Sequence, residues 1–158
     1  MDFITIRQYF HKVHIGVLSF VLLPLIAFIG LSLTTVRVAD DAFIISLVPG
    51  IFIAVVVVNL FAVVFFLLRL SHARKGAGLR AKLERYYSIV LVFYALMAIS
   101  GLLLAAGFCV TQRNAYALTF LANLAMCAVA WPYAKRTARQ LRLRGDEFEM
   151  VYYQKDQF

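Results

Sequence analysis

The sequence predicts an all-α integral membrane protein, a four-helix bundle of two antiparallel hairpins with both termini cytoplasmic. Three observations carry that reading. Of 158 residues, 63% are apolar and only 15% are charged, where a soluble domain carries about a quarter charged residues. Four long stretches, 15–36, 42–68, 86–112 and 114–134, hold no Asp, Glu, Lys, Arg or His. Fourteen of the sixteen Lys and Arg residues gather at one set of alternate ends of those stretches, as cytoplasmic flanks do. A soluble single domain is excluded, because a chain this small could not hide so much apolar side chain. Disorder is excluded as well, since disordered chains are poor in aliphatic and aromatic residues.

The stretches are 22, 27, 27 and 21 residues long. A hydrocarbon core of about 30 Å needs roughly 20 helical residues, so each can cross. The alternation of a barrel strand is absent, and unpaired backbone is not tolerated in lipid, so each crossing is expected to be helical. The spans are set at about 15–36, 43–68, 86–110 and 115–134, within a transmembrane domain over residues 1–144 and a cytoplasmic tail over 145–158. Arg7 and Lys12 precede the first span as in a secretory signal. Its apolar run exceeds the roughly 7 to 15 residues of a signal core and leads to another span, so it is read as retained. Pro24 and the Pro49-Gly50 pair predict kinks, and Pro132 is taken as tolerated within the fourth span.

The connections from Arg37 to Asp41 and around Arg113 are short enough only for tight hairpins. In the middle connection Gly76 and Gly78 precede Leu79, Leu83 and Tyr86, a pattern that predicts a break followed by a short interfacial helix. Arg136, Arg139, Leu141 and Leu143 read as a basic extension of the last helix that stops at Gly145. The following Glu147-Phe148-Glu149-Met150-Val151-Tyr152-Tyr153 is expected to be a frayed terminus, with an edge strand on a partner as the alternative.

The net charge of +8 is explained by topology. Arg74, Lys75, Arg80, Lys82 and Arg85, and Lys135, Arg136, Arg139, Arg142 and Arg144, fall where anionic lipid headgroups lie and are expected to contact them. No motif points to nucleic acid. Tyr9, Phe10, Tyr86, Tyr87, Trp131 and Tyr133 mark the same interface as an aromatic belt.

Within the spans the polar candidates are Asn59, Asn123, Thr119 and Ser100. Asn59 and Asn123 lie near the midpoints of two helices that run in the same direction, and they are expected to bond to each other across the helices. Tyr87, Tyr94, Ala98, Gly101 and Ala105 share a face of the third span, and Thr119, Asn123 and Cys127 share one of the fourth. That makes the third and fourth helices the expected tight pair, with Phe61, Phe65 and Phe66 facing lipid or filling gaps. Cys109 and Cys127 differ in depth by on the order of 10 Å and should not bridge. His14 and His72 share the depth a haem would need, but they lie among interfacial cations. No cofactor, metal or catalytic residue is assigned.

The spans contain none of the ionisable groups that proton-coupled transporters and intramembrane hydrolases use. No phosphate loop, H-E-x-x-H motif or nucleophile elbow is present. The expected function is a non-enzymatic accessory subunit of a bacterial inner-membrane complex, partnered by lipid and by another membrane protein or copies of itself. The alternatives are a small oligomeric channel with a polar path at Asn59 and Asn123, and an interfacial lipid-acting enzyme using His11, His14, His72 and Glu84.

Overall fold

The computed structural model describes residues 5–33, 41–76 and 78–154. Among these the chain is all-helical: α1 Ile6–Ser32, α2 Asp41–Ala73, α3 Leu79–Thr111, α4 Asn114–Val129, α5 Ala134–Gln140 and α6 Asp146–Tyr152. The first three are each long and apolar enough to cross a membrane, and α4 with α5 makes a fourth if that bent pair counts as one span. Their length and apolarity are those of a membrane protein. The hairpin expected over 37–41 lies outside the described residues except for Asp41, which opens α2.

Each long helix overruns its charge-free stretch. The side chain of Thr5 caps α1 by accepting from the Gln8 N–H at 3.2 Å, so α1 starts nine residues before the predicted span. Those extra turns are the better-buried ones, because Ile6, Tyr9, Phe10 and Val13 pack into the core while Ile26 and Ile29 stay exposed. α1 and α2 remain helical through Pro24 and Pro49. The separate interfacial helix expected after Gly78 does not form. Leu83, Tyr86 and Val90 continue the buried stripe of α3 at helical spacing, and nothing between them interrupts the backbone ladder.

α3 is the hub. Over half of its most apolar window is buried, 56% against 11% in both α1 and α2, and it packs on α1, α2 and α4. Residue pairings fix the directions. Tyr9 meets Tyr87 and Phe28 meets Phe108, so α1 and α3 are parallel. Phe66 meets Phe93, and Arg85 reaches the His72 carbonyl, so α2 and α3 are antiparallel. α3 and α4 form the expected tight hairpin through Gln112 and Arg113. Gln112 takes a left-handed φ of 50° and its N–H closes on the Phe108 carbonyl at 2.8 Å, a helix ending usually left to glycine or asparagine.

The expectation of α3 and α4 as the tightest pair is amended, since α3 packs more extensively on α2 and α1. Close approach is nonetheless real there. A Cβ on Gly107 would lie 2.5 Å from the Tyr116 ring of α4, and on the α1 side one on Gly101 would lie 2.9 Å from Pro24. Phe61 is exposed as expected, whereas Phe66 fills a gap against Phe93. Two apolar clusters result, one at the end that gathers the N-termini of α1 and α3 with α5 and α6, the other around Val55, Leu104, Tyr116 and Phe120 at the far end. The first carries most of the chain's Lys and Arg and is termed the basic end.

The fourth span departs most from expectation. α4 ends at Val129 after 16 residues, about 24 Å, and α5 leaves at 80°. Pro132 supplies the reason: it has no N–H, and it disfavours the helical conformation for Trp131 before it. The basic extension is therefore a separate helix, not a continuation. Gly145 is likewise not its stop. α5 ends at Gln140, closed by the Leu143 N–H on the Ala138 carbonyl with Arg142 at a φ of 54°. Gly145, at a φ of 56°, is the residue that caps the start of α6.

The terminal segment is neither frayed nor a strand. α6 is a helix whose first turn holds Asp146, Glu147 and Glu149, which suits the positive end of its dipole. Val151 is fully buried in the same cluster as Ile6, Tyr9 and Leu83, with Phe148 and Met150 packed beside it.

Candidate functional site at the basic end

The break between α4 and α5 leaves helix-end carbonyls that lipid could not satisfy. Side chains from three other places meet them. The Trp131 N–H turns to the Ala128 carbonyl, and the Cys127 carbonyl instead accepts from Tyr94 Oη at 2.8 Å. Arg136 turns back to donate to the Val129 carbonyl. His14 Nε2 lies 3.1 Å from the Pro132 carbonyl, and its ring stacks on Trp131 with centroids 5.7 Å apart. The break is thus tied to α1 and α3 by hydrogen bonds.

α5 and α6 are tied down by the connection side of the molecule. Arg74 Nε donates to the Gln140 carbonyl at 2.8 Å, and Tyr86 Oη donates to Gln140 Oε1 at 2.6 Å. Lys82 Nζ pairs with Glu147 Oε2 at 2.7 Å. Together they make a folded cap over the basic end.

Of the ten residues expected at lipid headgroups, Arg74, Lys82 and Arg136 are half-buried and engaged in these internal bonds, and Arg80 pairs with Glu84 at 3.5 Å. Lys75, Arg85, Lys135, Arg139, Arg142 and Arg144 are exposed. Sequence reasoning missed Gln140 and Glu147 as the cap's partners. It also passed over Arg69, which lies one turn before His72.

The four polar residues within the spans do not converge on one bond. Phe52 stacks on Tyr116 at 4.6 Å, and seven residues on from each come Asn59 and Asn123, so the expected match of depth is correct. The expected bond between them is not made. Asn123 Nδ2 donates to the Met97 carbonyl at 3.1 Å, while Asn59 Oδ1 and Asn123 Oδ1 are both buried without a partner among the described residues. The α3 backbone supplies the acceptor that Asn123 uses in place of Asn59. Thr119 bonds back to the Ala115 carbonyl at 2.8 Å, and Ser100 is fully buried with no partner for its hydroxyl among the described residues. Cys109 and Cys127 are both buried free thiols.

The enzyme candidates are likewise apart. His11 lines a surface cleft with Thr5, Arg7, Gln8 and Lys12, His72 lines another with Arg69 and Arg85, and Glu84 is paired with Arg80. Among the described residues no three His, Cys, Asp or Glu side chains gather to hold a metal ion.

Two clefts flank the α2–α3 seam. One, of about 300 Å³, has apolar walls that include Val63, Phe93 and Met126, with Tyr86, Arg136 and Gln140 at its polar rim. The other, of about 510 Å³, brings Arg69, His72, Arg85 and Ser88 to one mouth. Comparison with protein-family models, with curated proteins and with solved structures returns no match.

Proposed function

We propose that the protein is a four-span bundle of the bacterial inner membrane, with both termini and the α2–α3 connection cytoplasmic, and that it serves as a non-enzymatic accessory subunit. Its role is to hold a partner membrane protein or further copies of itself through the folded cap. The observation that carries this reading is the division of polar groups. Inside the spans Tyr94, Tyr116 and Asn123 are spent on helix–helix hydrogen bonds, while the built polar surface lies at the basic end. There α6 is docked by Val151 and leaves Tyr152 and Tyr153 exposed, the kind of aromatic surface that anchors interfaces. Co-purification in mild detergent tests it. An associated chain is expected with the intact protein and is lost in a Tyr152→Ala, Tyr153→Ala double variant of unchanged stability. A strict monomer, with no partner lost on truncation after Gly145, would sink the reading.

One observation favours a second reading, an oligomeric channel or facilitator. Asn59 Oδ1, Ser100 Oγ and Asn123 Oδ1 are buried polar atoms without partners among the described residues, and unsatisfied groups at such depth are costly unless water or a ligand meets them. Flux through reconstituted liposomes that falls in Asn59→Leu and Asn123→Leu would favour the channel over the subunit.

A further inference from the structure

The larger cleft on the α2–α3 seam has a directional lining. Phe65, Arg69 and His72 recur at helical spacing on α2, as do Arg85, Ser88, Ile89 and Val92 on α3, so each helix contributes one stripe. Because the helices are antiparallel, both stripes run the same way: cationic and polar at the basic end, apolar toward the middle. Among the described residues no carboxylate lines the cleft, and Glu84, the neighbour of Arg85, is already paired with Arg80. The Arg85 guanidinium is held at the mouth by a 3.4 Å bond to the His72 carbonyl. That of Arg69 lies 5.8 Å from the Phe65 ring.

We infer that this cleft binds one anionic phospholipid, with its phosphate between Arg69 and Arg85 and an acyl chain along Phe65, Ile89 and Val92. Guanidinium groups match phosphate oxygens with paired donors. A soluble phosphate would leave the apolar walls uncovered, and a zwitterionic lipid would bring its own ammonium to a mouth that already holds two guanidinium groups. The assignment rests on the chain crossing a membrane, and it goes beyond the diffuse attraction of a basic surface for anionic lipid by giving one lipid to one seam.

The test uses the delipidated full chain in neutral detergent, titrated with phosphatidylglycerol, phosphatidylcholine or glycerol 3-phosphate and read by native mass spectrometry. Phosphatidylglycerol should bind at least about tenfold more tightly than the other two. Arg69→Gln with Arg85→Gln should remove that preference, whereas Lys75→Gln with Arg142→Gln, an equal loss of charge outside the cleft, should keep it. Val92→Trp leaves both arginines and should weaken phosphatidylglycerol alone. Equal loss in the two double variants would overturn the assignment in favour of diffuse charge, and glycerol 3-phosphate binding as tightly as the lipid would make it a soluble-anion site. Carbonate extraction separates the two levels: wild type released from membranes defeats the membrane placement itself, while a membrane-retained chain without lipid preference defeats only this inference.

Discussion

Replacing Gly107 by alanine tests the tightest glycine contact among the described residues. The added Cβ would sit 2.5 Å from Tyr116 Cε1, 2.8 Å from Cδ1 and 3.1 Å from Cζ, distances at which a ring must move. Tyr116 has little freedom to do so, being fully buried, stacked on Phe52 and bonded through its hydroxyl to the Val48 carbonyl at 3.2 Å. Overpacking of a tight core costs about 1–3 kcal/mol, and loss of the hydroxyl bond adds about 1 kcal/mol, so the expected loss is about 2–4 kcal/mol. Two other glycines calibrate it. Among the described residues Gly16 would meet only the end of the Leu91 side chain, and Gly30 meets nothing within 4 Å. Gly16→Ala should therefore cost well under half as much, and Gly30→Ala should be neutral. Equilibrium unfolding of the three variants in mixed detergent micelles measures the order. Equal midpoints for Gly107→Ala and Gly30→Ala would refute the packing of α3 against α4.

Further outcomes follow from the same geometry. Tyr94→Phe removes the donor to the Cys127 carbonyl and should cost about 1–3 kcal/mol in the same unfolding assay, the cost of an orphaned buried acceptor. Asn123→Leu should lower stability by about 0.6 kcal/mol through loss of the Met97 bond, whereas Asn59→Leu, which removes a buried oxygen without a partner, should be neutral or stabilising. A shared loss would instead mean that the two amides act together. Val151→Asp places a charge in the fully buried seat of α6 and should undock it, detected as faster proteolysis between Gly145 and Tyr153 with helices α1–α3 left intact.

The helices were legible because lipid-scale apolarity is a composition signal that one residue cannot hide. Their ends were less so. Arg7, Lys12 and His14 appear to a charge count as the boundary of a span, yet they ride on turns whose other face, Ile6, Tyr9, Phe10 and Val13, is core. Helix boundaries here follow packing against α3, not the last charge. The break at Trp131-Pro132-Tyr133 carried a local signal in Pro132, but proline also occurs in α1 and α2 without ending them, so the outcome depended on which side chains could reach the freed carbonyls. Those side chains, His14, Tyr94 and Arg136, are distant in sequence or point backward. Asn59 and Asn123 illustrate the same limit: their common depth follows from helix direction, while the choice of the Met97 carbonyl as partner depends on a rotation that periodicity alone does not give. α6 was hidden by its own composition, since Val151-Tyr152-Tyr153 favours a strand until the cluster around Leu83 buries Val151.

The early end of α4 has a consequence for the surrounding bilayer. At about 24 Å it falls short of a hydrocarbon core of about 30 Å, while α2 offers 27 uncharged residues, about 40 Å. One flank of the molecule is therefore too short for the membrane and another is too long. Lipids must thin beside Trp131 and stretch, or the long helices lean, beside α2. Such lopsided mismatch would be relieved by a neighbour of complementary profile covering the short side, because thickness mismatch favours helix association.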